Sequence, residues 1–326
     1  MNELFKITHS VLDNNWVGAA CAQHYDLEAN LYCELLHRGM NDVYMLRTSS
    51  TKYAVRAWRA NWRTMDDVAY ELEYLDFLRD SGIGVAPAIR TKDGHHYFTV
   101  EAPEGPRVLA VFEWAPGRKF AEQLDEDMAV RLGEIMANIH DVGANFEPTK
   151  MRRTNHVSII EENLPLVQRM VSDRPGEEEF YSNVVVRLVE AFEQVDMQAV
   201  PMGACHGDFH LYNVHIASDG NIIFLDFDNA GWDYYLSDVI SFVWINEYCG
   251  QLPVYAQRFV EGYESKRPFS DAERAHIPLF ILAMELRQIA EGARHVNTVG
   301  HALLRFQDLD WFARSIRRHA EEAGIV

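Results

Sequence analysis

The spacing of apolar residues changes once along this chain, near Ala115-Pro116-Gly117, and that change fixes the fold class. Before it, residues 31 to 59 alternate apolar and polar side chains through LYCELLHRG, DVYMLRT and KYAVRAWR, the two-residue period of half-buried strands. HHYFTVE follows the Asp93-Gly94 turn, and RVLAVFEW comes next, so the segment holds five strands. One helix is inserted at Thr64 to Arg79, with Asp66 and Asp67 in its first turn and Gly82 just past its end. Residues 3 to 24 read as another helix, with Leu4, Phe5, Val11, Leu12 and Trp16 apolar. After Gly117, helical periods dominate: 123 to 141, 158 to 172, 178 to 196, 252 to 265, 271 to 295 and 301 to 323. The expected fold is α+β and bilobal. A small antiparallel lobe with one helix spans residues 1–114, and a larger, mainly helical lobe spans 115–326. A ligand is expected in the cleft between lobes.

One stretch of the helical part is strand-like and rich in polar residues: HGDFHLYNVHIASDGNIIFLDFD, from His206 to Asp228. Asp208 and Asn213 lie five residues apart, and Asp226 follows at the end of the apolar run in IIFLDFD. This is the order and spacing of Asp, Asn and Asp in a kinase-type phosphoryl-transfer site. Such transfer asks the protein for positioning and charge neutralisation rather than covalent chemistry. Asp208 would accept the hydrogen bond of an acceptor hydroxyl and take its proton. Asn213 and Asp226 bring the hard oxygen donors that suit Mg²⁺. The plain alternative is a solvated Asp/Asn/Gly loop. Three such residues in this order, with a strand between them, argue against it.

HGDFHLYNVHI followed by IIFLDFDNAGWDYYLSDV resembles the aminoglycoside phosphotransferase and choline kinase superfamily. Its signature is HGD-x-x-x-x-N, then a hydrophobic strand ending D-x-[DE]. The homoserine kinase type II and bacterial stress-response kinase branches look most similar. The resemblance implies a protein-kinase-like fold, ATP with Mg²⁺, and a hydroxyl acceptor on a small molecule. A protein Ser/Thr kinase of the stress-response type is the second reading, and a nucleotide-binding pseudokinase the third. Retention of Asp208, Asn213 and Asp226 speaks against the third.

Small-lobe residues acquire roles from the same resemblance. Arg56, in YAVRAWR, stands where a protein kinase has its β3 Lys. A guanidinium grips phosphates bidentately but does not replace an ammonium. Strand alternation puts Arg56 and Trp58 on one face, so an outward-facing Arg56 is the alternative. Glu71 would orient Arg56, with Glu73 as the other candidate. Gly39 and Asn41, in HRGMNDVY, resemble the phosphate-covering loop, though a simple hairpin turn explains them as well. Glu113 and Trp114, in AVFEWAPGR, mark the hinge whose backbone would pair with adenine, with Phe112 or Trp114 on the ring.

In the helical lobe, His206 has an expected structural role, His140 packs or caps, and His210 faces the substrate or nothing in particular. Asp228 either joins the metal site or buttresses it. Asp238 opens an apolar helix, as a cap or as a support for the catalytic loop. Asp233 and Tyr234 would border the acceptor. Glu247, Glu285, Glu291 and Asp233 are the acids that would make an acidic acceptor pocket, and Met284, Trp244 and Trp311 its apolar lining. Solvated surface charge and core packing are the plain alternatives.

The net charge of −19 argues against nucleic acid or an anionic membrane as partner and suits a cationic substrate. The four cysteines have no metal-ligand spacing, and no His forms an HExxH, so zinc is not expected. With no apolar run of about 18 residues and no leader-like N-terminus, the expected location is cytoplasmic.

Overall fold

The computed structural model describes residues 6–119, 124–299 and 309–325. Helix α1 (Asn14–His24) opens where the Asp13 side chain accepts from the Trp16 amide at 3.0 Å. It therefore begins eleven residues later than the apolar pattern suggests. Residues 6–13 ahead of it are not helical, and polar groups there are committed to the β4–β5 hairpin. Ser10 donates to Glu104, and Arg107 donates to the Ser10 carbonyl at 2.8 Å. Leu4 and Phe5 lie outside the described residues.

Strands β1 (Tyr32–Arg38), β2 (Asp42–Arg47) and β3 (Lys52–Ala57) lead into α2 (Met65–Asp80). A capping box fixes the start of α2: Thr64 accepts from the Asp67 amide, and Asp67 accepts from the Thr64 amide. Strands β4 (Phe98–Ala102) and β5 (Gly105–Glu113) complete an antiparallel sheet of order β1-β2-β3-β5-β4. Its inward side chains, among them Tyr44, Leu46, Val55, Leu109 and Val111, pack with Val17, Cys21 and Tyr25 of α1 and its end.

After the short strand β6 (Arg118–Lys119) come α3 (Glu126–Gly143), α4 (His156–Met170) and α5 (Glu177–Gln194). Strands β7 (Met202–Cys205), β8 (Val214–Ile216), β9 (Ile222–Phe224) and β10 (Gly231–Tyr234) follow. Helices α6 (Tyr235–Tyr248), α7 (Pro253–Lys266), α8 (Asp271–Val299) and α9 (Leu309–Glu322) end the described chain. Residues 123 and 301–308 of the expected helices lie outside the described residues. Strand β10 is absent from the sequence expectation, which took GWDY as the approach to α6. It pairs antiparallel with β7.

The chain divides into two compact units. The first comprises Met1–Lys119, Glu147–Arg152 and Val214–Asp228; the second comprises Phe120–Phe146, Arg153–Asn213 and Asn229–Val326. The first unit also holds a three-stranded sheet of order β6-β8-β9. In the second, α3 and α7 approach closely because neither carries a side chain at the crossing. A Cβ on Gly133 would lie 2.0 Å from the Phe259 carbonyl oxygen, and one on Gly262 would lie 2.0 Å from that of Val130. Among the described residues no helix is long and apolar enough to cross a membrane.

Candidate active site

In the first unit, strand register sets Arg56 between Val43 of β2 and Ala110 of β5. The side chain turns into the protein. One guanidinium nitrogen lies 2.5 Å from Glu71 Oε1, and another lies 3.1 Å from Asp226 Oδ1. The plane sits over the rings of Trp58 and Phe112 at 5.3 and 5.2 Å. The acid that holds Arg56 is thus Glu71, while Glu73 accepts from the Thr149 amide at 2.8 Å. Burial pushes the Glu71 carboxyl up to about 7, with the Arg56 guanidinium opposing that rise.

Asp226 sits beyond β9 with φ +62°, in the left-handed region that non-glycine residues rarely adopt. Its carboxylate is 51% exposed. The next residue, Phe227, is fully buried and meets Tyr74 of α2 edge to face at 5.8 Å. Asp228 points the other way and is 5% exposed. Trp58 Nε1 donates to its Oδ1 at 3.0 Å, and Trp62 Nε1 to its Oδ2 at 2.6 Å. Arg63 lies 3.3 Å from Oδ2, and Arg152 donates to the Asp228 carbonyl at 2.8 Å. Burial works to raise this carboxyl, but Arg63, Arg56 and the Trp62 bond hold it below its usual value. Asp228 is therefore an interior anchor.

The β1–β2 loop is gripped from behind. Arg59 donates to the carbonyls of Met40 and Gly39 at 3.3 and 2.9 Å, and its amide donates to Asn41 Oδ1 at 3.4 Å. Asn41 is buried, so its side chain closes the loop internally. At the end of β5, the Glu113 amide already donates to the Pro87 carbonyl at 3.0 Å. The Trp114 ring lies under the Lys52 ammonium at 5.5 Å.

In the second unit, β7 delivers the turn Cys205-His206-Gly207-Asp208. Gly207 has φ +80°, and a Cβ there would lie 2.1 Å from the Asn229 carbonyl oxygen, so only glycine fits. Asp238, fully buried in the first turn of α6, accepts from the His206 and Gly207 amides at 2.7 and 2.8 Å. It does not cap that helix, whose cap residue is Tyr234. His140 Nε2 lies 3.2 Å from the same carboxylate, and Nδ1 lies 2.8 Å from the Tyr263 hydroxyl. Burial would raise the Asp238 carboxyl; the His140 and His206 contacts hold it below its ordinary value. Ligand atoms of His140, Cys205 and Asp238 gather within 4.8 Å of one another. Burial pushes the Cys205 thiol far up, and the His140 and Asp238 atoms are spent on hydrogen bonds, so the cluster is a knot under the turn rather than a metal centre.

The residue after Asp208 anchors the turn: Phe209 is fully buried and stacks on Phe242 and Phe259 at 5.8 and 5.7 Å. Arg287 of α8 donates to the Gly207 carbonyl at 3.3 Å. The Asp208 carboxylate stays 31% exposed, with His210 Nε2 at 3.7 Å. Asn213 Nδ2 donates to the Asp208 carbonyl at 3.0 Å, which directs its Oδ1 elsewhere.

The expected acceptor acids do not gather at this turn. Asp233 is buried on β10, with His156 Nε2 at 2.9 Å from its Oδ2. Glu285 is fully buried and bound to His319 at 2.7 Å. Each buried carboxylate is met by a histidine from a helix, His156 of α4 for Asp233 and His319 of α9 for Glu285. Tyr234 packs edge-on against Phe280 at 5.4 Å, and Glu247 pairs with Arg318. Glu291 differs. It lies one helical turn beyond Arg287 on α8, its side chain is 23% exposed, and its nearest ion-pair partner is His295 at 3.4 Å. Sequence reasoning missed Trp58, Arg59, Trp62, Arg63, Arg152 and Arg287. The repeated Trp-Arg in WRANWR was the available signal for four of them.

Residues 34–276 match the phosphotransferase enzyme family. The chain is 24% identical over 301 residues to a homoserine kinase of Gluconobacter oxydans, covering 88% of this chain and 89% of that protein. Among solved structures, an amicoumacin kinase in complex with AMP-PNP, Ca²⁺ and Ami aligns with a TM-score of 0.73 at 19% identity, covering 96% of this chain and 93% of the other. A microcompartment-associated aminopropanol kinase aligns at 0.68 and 20% identity, covering 96% and 99%. These likenesses establish an α+β, kinase-like fold.

Proposed function

Because this chain belongs to the phosphotransferase enzyme family, we propose that it moves the γ-phosphoryl group of ATP to the hydroxyl of a small, amine-bearing alcohol. The carrying observation is the Gly207-Asp208 turn. Asp238, Arg287 and Phe209 hold it rigid, yet the Asp208 carboxylate remains partly exposed. A general base needs that combination of fixed backbone and accessible oxygen. In the step proposed, the acceptor oxygen bonds to the γ-phosphorus, its proton passes to Asp208, and the bond to the β,γ-bridging oxygen breaks to release ADP.

The donor set fits a hard divalent cation. Asn213 has its amide nitrogen committed to the Asp208 carbonyl, leaving the oxygen for a metal, and Asp226 exposes a carboxylate. Each is a donor suited to Mg²⁺, which supplies charge neutralisation on the phosphates. Arg56, fixed by Glu71, would grip phosphate oxygens; the loop at Gly39 and Asn41 would cover them with backbone amides. The Glu113–Trp114 segment would receive adenine. AMP-PNP and Ca²⁺ in the similar amicoumacin kinase support a nucleoside triphosphate with a divalent ion.

The acceptor class rests on two supports. Two of the similar proteins are named for homoserine and aminopropanol, alcohols that carry an amine. Glu291 presents a partly exposed acid one helical turn from Arg287, which binds the turn. Turnover of ATP with Mg²⁺ across amino alcohols, choline-like amines, sugars and aminoglycosides tests the reading. The expected outcome is saturable phosphorylation of an amine-bearing alcohol. Phosphorylation confined to protein substrates, or to the chain itself, would overturn it.

A further inference from the structure

We propose that the turn Trp58–Arg63 is a positioning clamp. Through Asp228 it sets the metal-binding Asp226, and through Arg59 it sets the phosphate-covering loop. The inference rests on the nucleotide and metal reading above.

The geometry divides the two acids of Asp226-Phe227-Asp228 between two tasks. Asp226 is exposed and held at φ +62°. An unfavourable backbone conformation persists only where flanking contacts over-determine it. Here those contacts lie on the two residues that follow: Phe227 against Tyr74, and Asp228 between Trp58, Trp62 and Arg63. Both carboxylate oxygens of Asp228 accept from indole N–H groups, which donate only. The carboxylate is also paired with Arg63 and is 5% exposed, so it faces the interior rather than an open ligand site. It works as the peg that fixes the segment.

The other side of the clamp is equally well held. The Trp58 amide continues the β3–β5 pairing by donating to the Val108 carbonyl at 2.9 Å. Asn61 turns the chain at φ +61°, a conformation Asn tolerates better than most residues. Trp62 is stiffened by the Arg63 guanidinium, 3.9 Å above its ring. Between the two tryptophans, Arg59 reaches back to Gly39, Met40 and Asn41. Six consecutive residues therefore brace two parts of the nucleotide site.

The test measures binding rather than turnover. Mn²⁺ affinity in the presence of ADP is followed by titration calorimetry for wild type, Trp62→Phe, Asp228→Asn, Asp226→Ala and Arg59→Lys, with melting temperatures alongside. Trp62→Phe keeps an aromatic ring and removes the donor, so it covers the case in which Asp228→Asn fails to fold. Trp62→Phe should weaken Mn²⁺ binding on the order of tenfold, the scale of a lost outer-shell contact, at a near-wild-type melting temperature. Arg59→Lys should weaken ADP binding and leave the Mn²⁺ step alone. Unchanged Mn²⁺ affinity in Trp62→Phe overturns the clamp. So does loss in Asp228→Asn as complete as in Asp226→Ala with Trp62→Phe inert, which would make Asp228 a ligand. Asp226→Ala binding Mn²⁺ as wild type does would instead refute the metal reading beneath it.

Discussion

Asp208 and Glu71 are both carboxylates, yet their surroundings assign them opposite work. Asp208 is partly exposed beside a rigid backbone, which suits proton transfer. Asp208→Asn keeps the shape and cannot take the hydroxyl proton. It should lower kcat by about 10²–10⁴-fold, the range for a general base, and leave AMP-PNP affinity near wild type. Retention of near-full kcat on a confirmed acceptor would remove Asp208 from the mechanism. Glu71 is buried, and its value of about 7 lies above that of an unfolded carboxyl. The folded state therefore holds its proton more readily than the unfolded chain does. The stability this group contributes is complete below about pH 4.3, its unfolded value, and is lost as pH rises through 7. Glu71→Gln should flatten that part of the stability-versus-pH curve, read from urea midpoints at pH 5 and 8. An identical slope in the variant would contradict the assignment. The candidate trio of Asp208, Asn213 and Asp226 could be proposed from the sequence because phosphoryl-transfer chemistry would dictate its spacing along one short segment. The partners of Asp228 could not. Trp58 and Trp62 lie 170 and 166 positions away in sequence, and no local period encodes that meeting.

At the scale of elements, each support of the Gly207-Asp208 turn comes from a different helix: Asp238 from α6, His140 from α3, Arg287 from α8. Asp238 in the first turn of its helix invites reading as a cap, because Asp is common at helix starts. Its carboxylate instead leaves the helix and binds two amides of the turn. Replacing it by Asn keeps one acceptor oxygen but removes the charge that His140 and the amides satisfy. The expected cost is about 3 kcal/mol, as for breaking a buried charged network. The sign with pH is opposite to that of Glu71. The Asp238 carboxyl is depressed in the fold, so its stabilisation is present above the unfolded value of about 3.9 and fades as pH falls through the folded value. The difference between wild type and Asp238→Asn should therefore be full at pH 7 and reduced at pH 3. Equal differences at both pH values would count against a charged Asp238. The same scale explains two misreadings. Apolar residues ahead of α1 mimic a helix, but Glu104 and Arg107, about ninety positions on, claim that backbone. Strand β10 is four residues long, too short for its period to show.

For the whole molecule, a net charge of −19 favours cations arriving from solution, but it does not say which carboxylate receives them. Burial decides that. Asp233 and Glu285 are interior and satisfied by histidines, so neutralising them should act through stability. Glu291 is a partly exposed acid on the α8 face that also carries Arg287, whose bond to the Gly207 carbonyl ties that face to the turn bearing Asp208. Losing a charge-assisted hydrogen bond costs about 1.5–3 kcal/mol, so Glu291→Gln should raise the acceptor KM on the order of tenfold or more while the ATP KM holds. The variant should also show a shallower fall of kcat/KM with salt, since one steering charge is gone. Glu285→Gln and Asp233→Asn should instead lower the melting temperature, and any change they make should fall on both substrates. If Glu291→Gln leaves the acceptor KM where it was, and Glu285→Gln raises it selectively, the buried acid is the recognition residue and the acceptor reaches in between the helices rather than meeting Glu291.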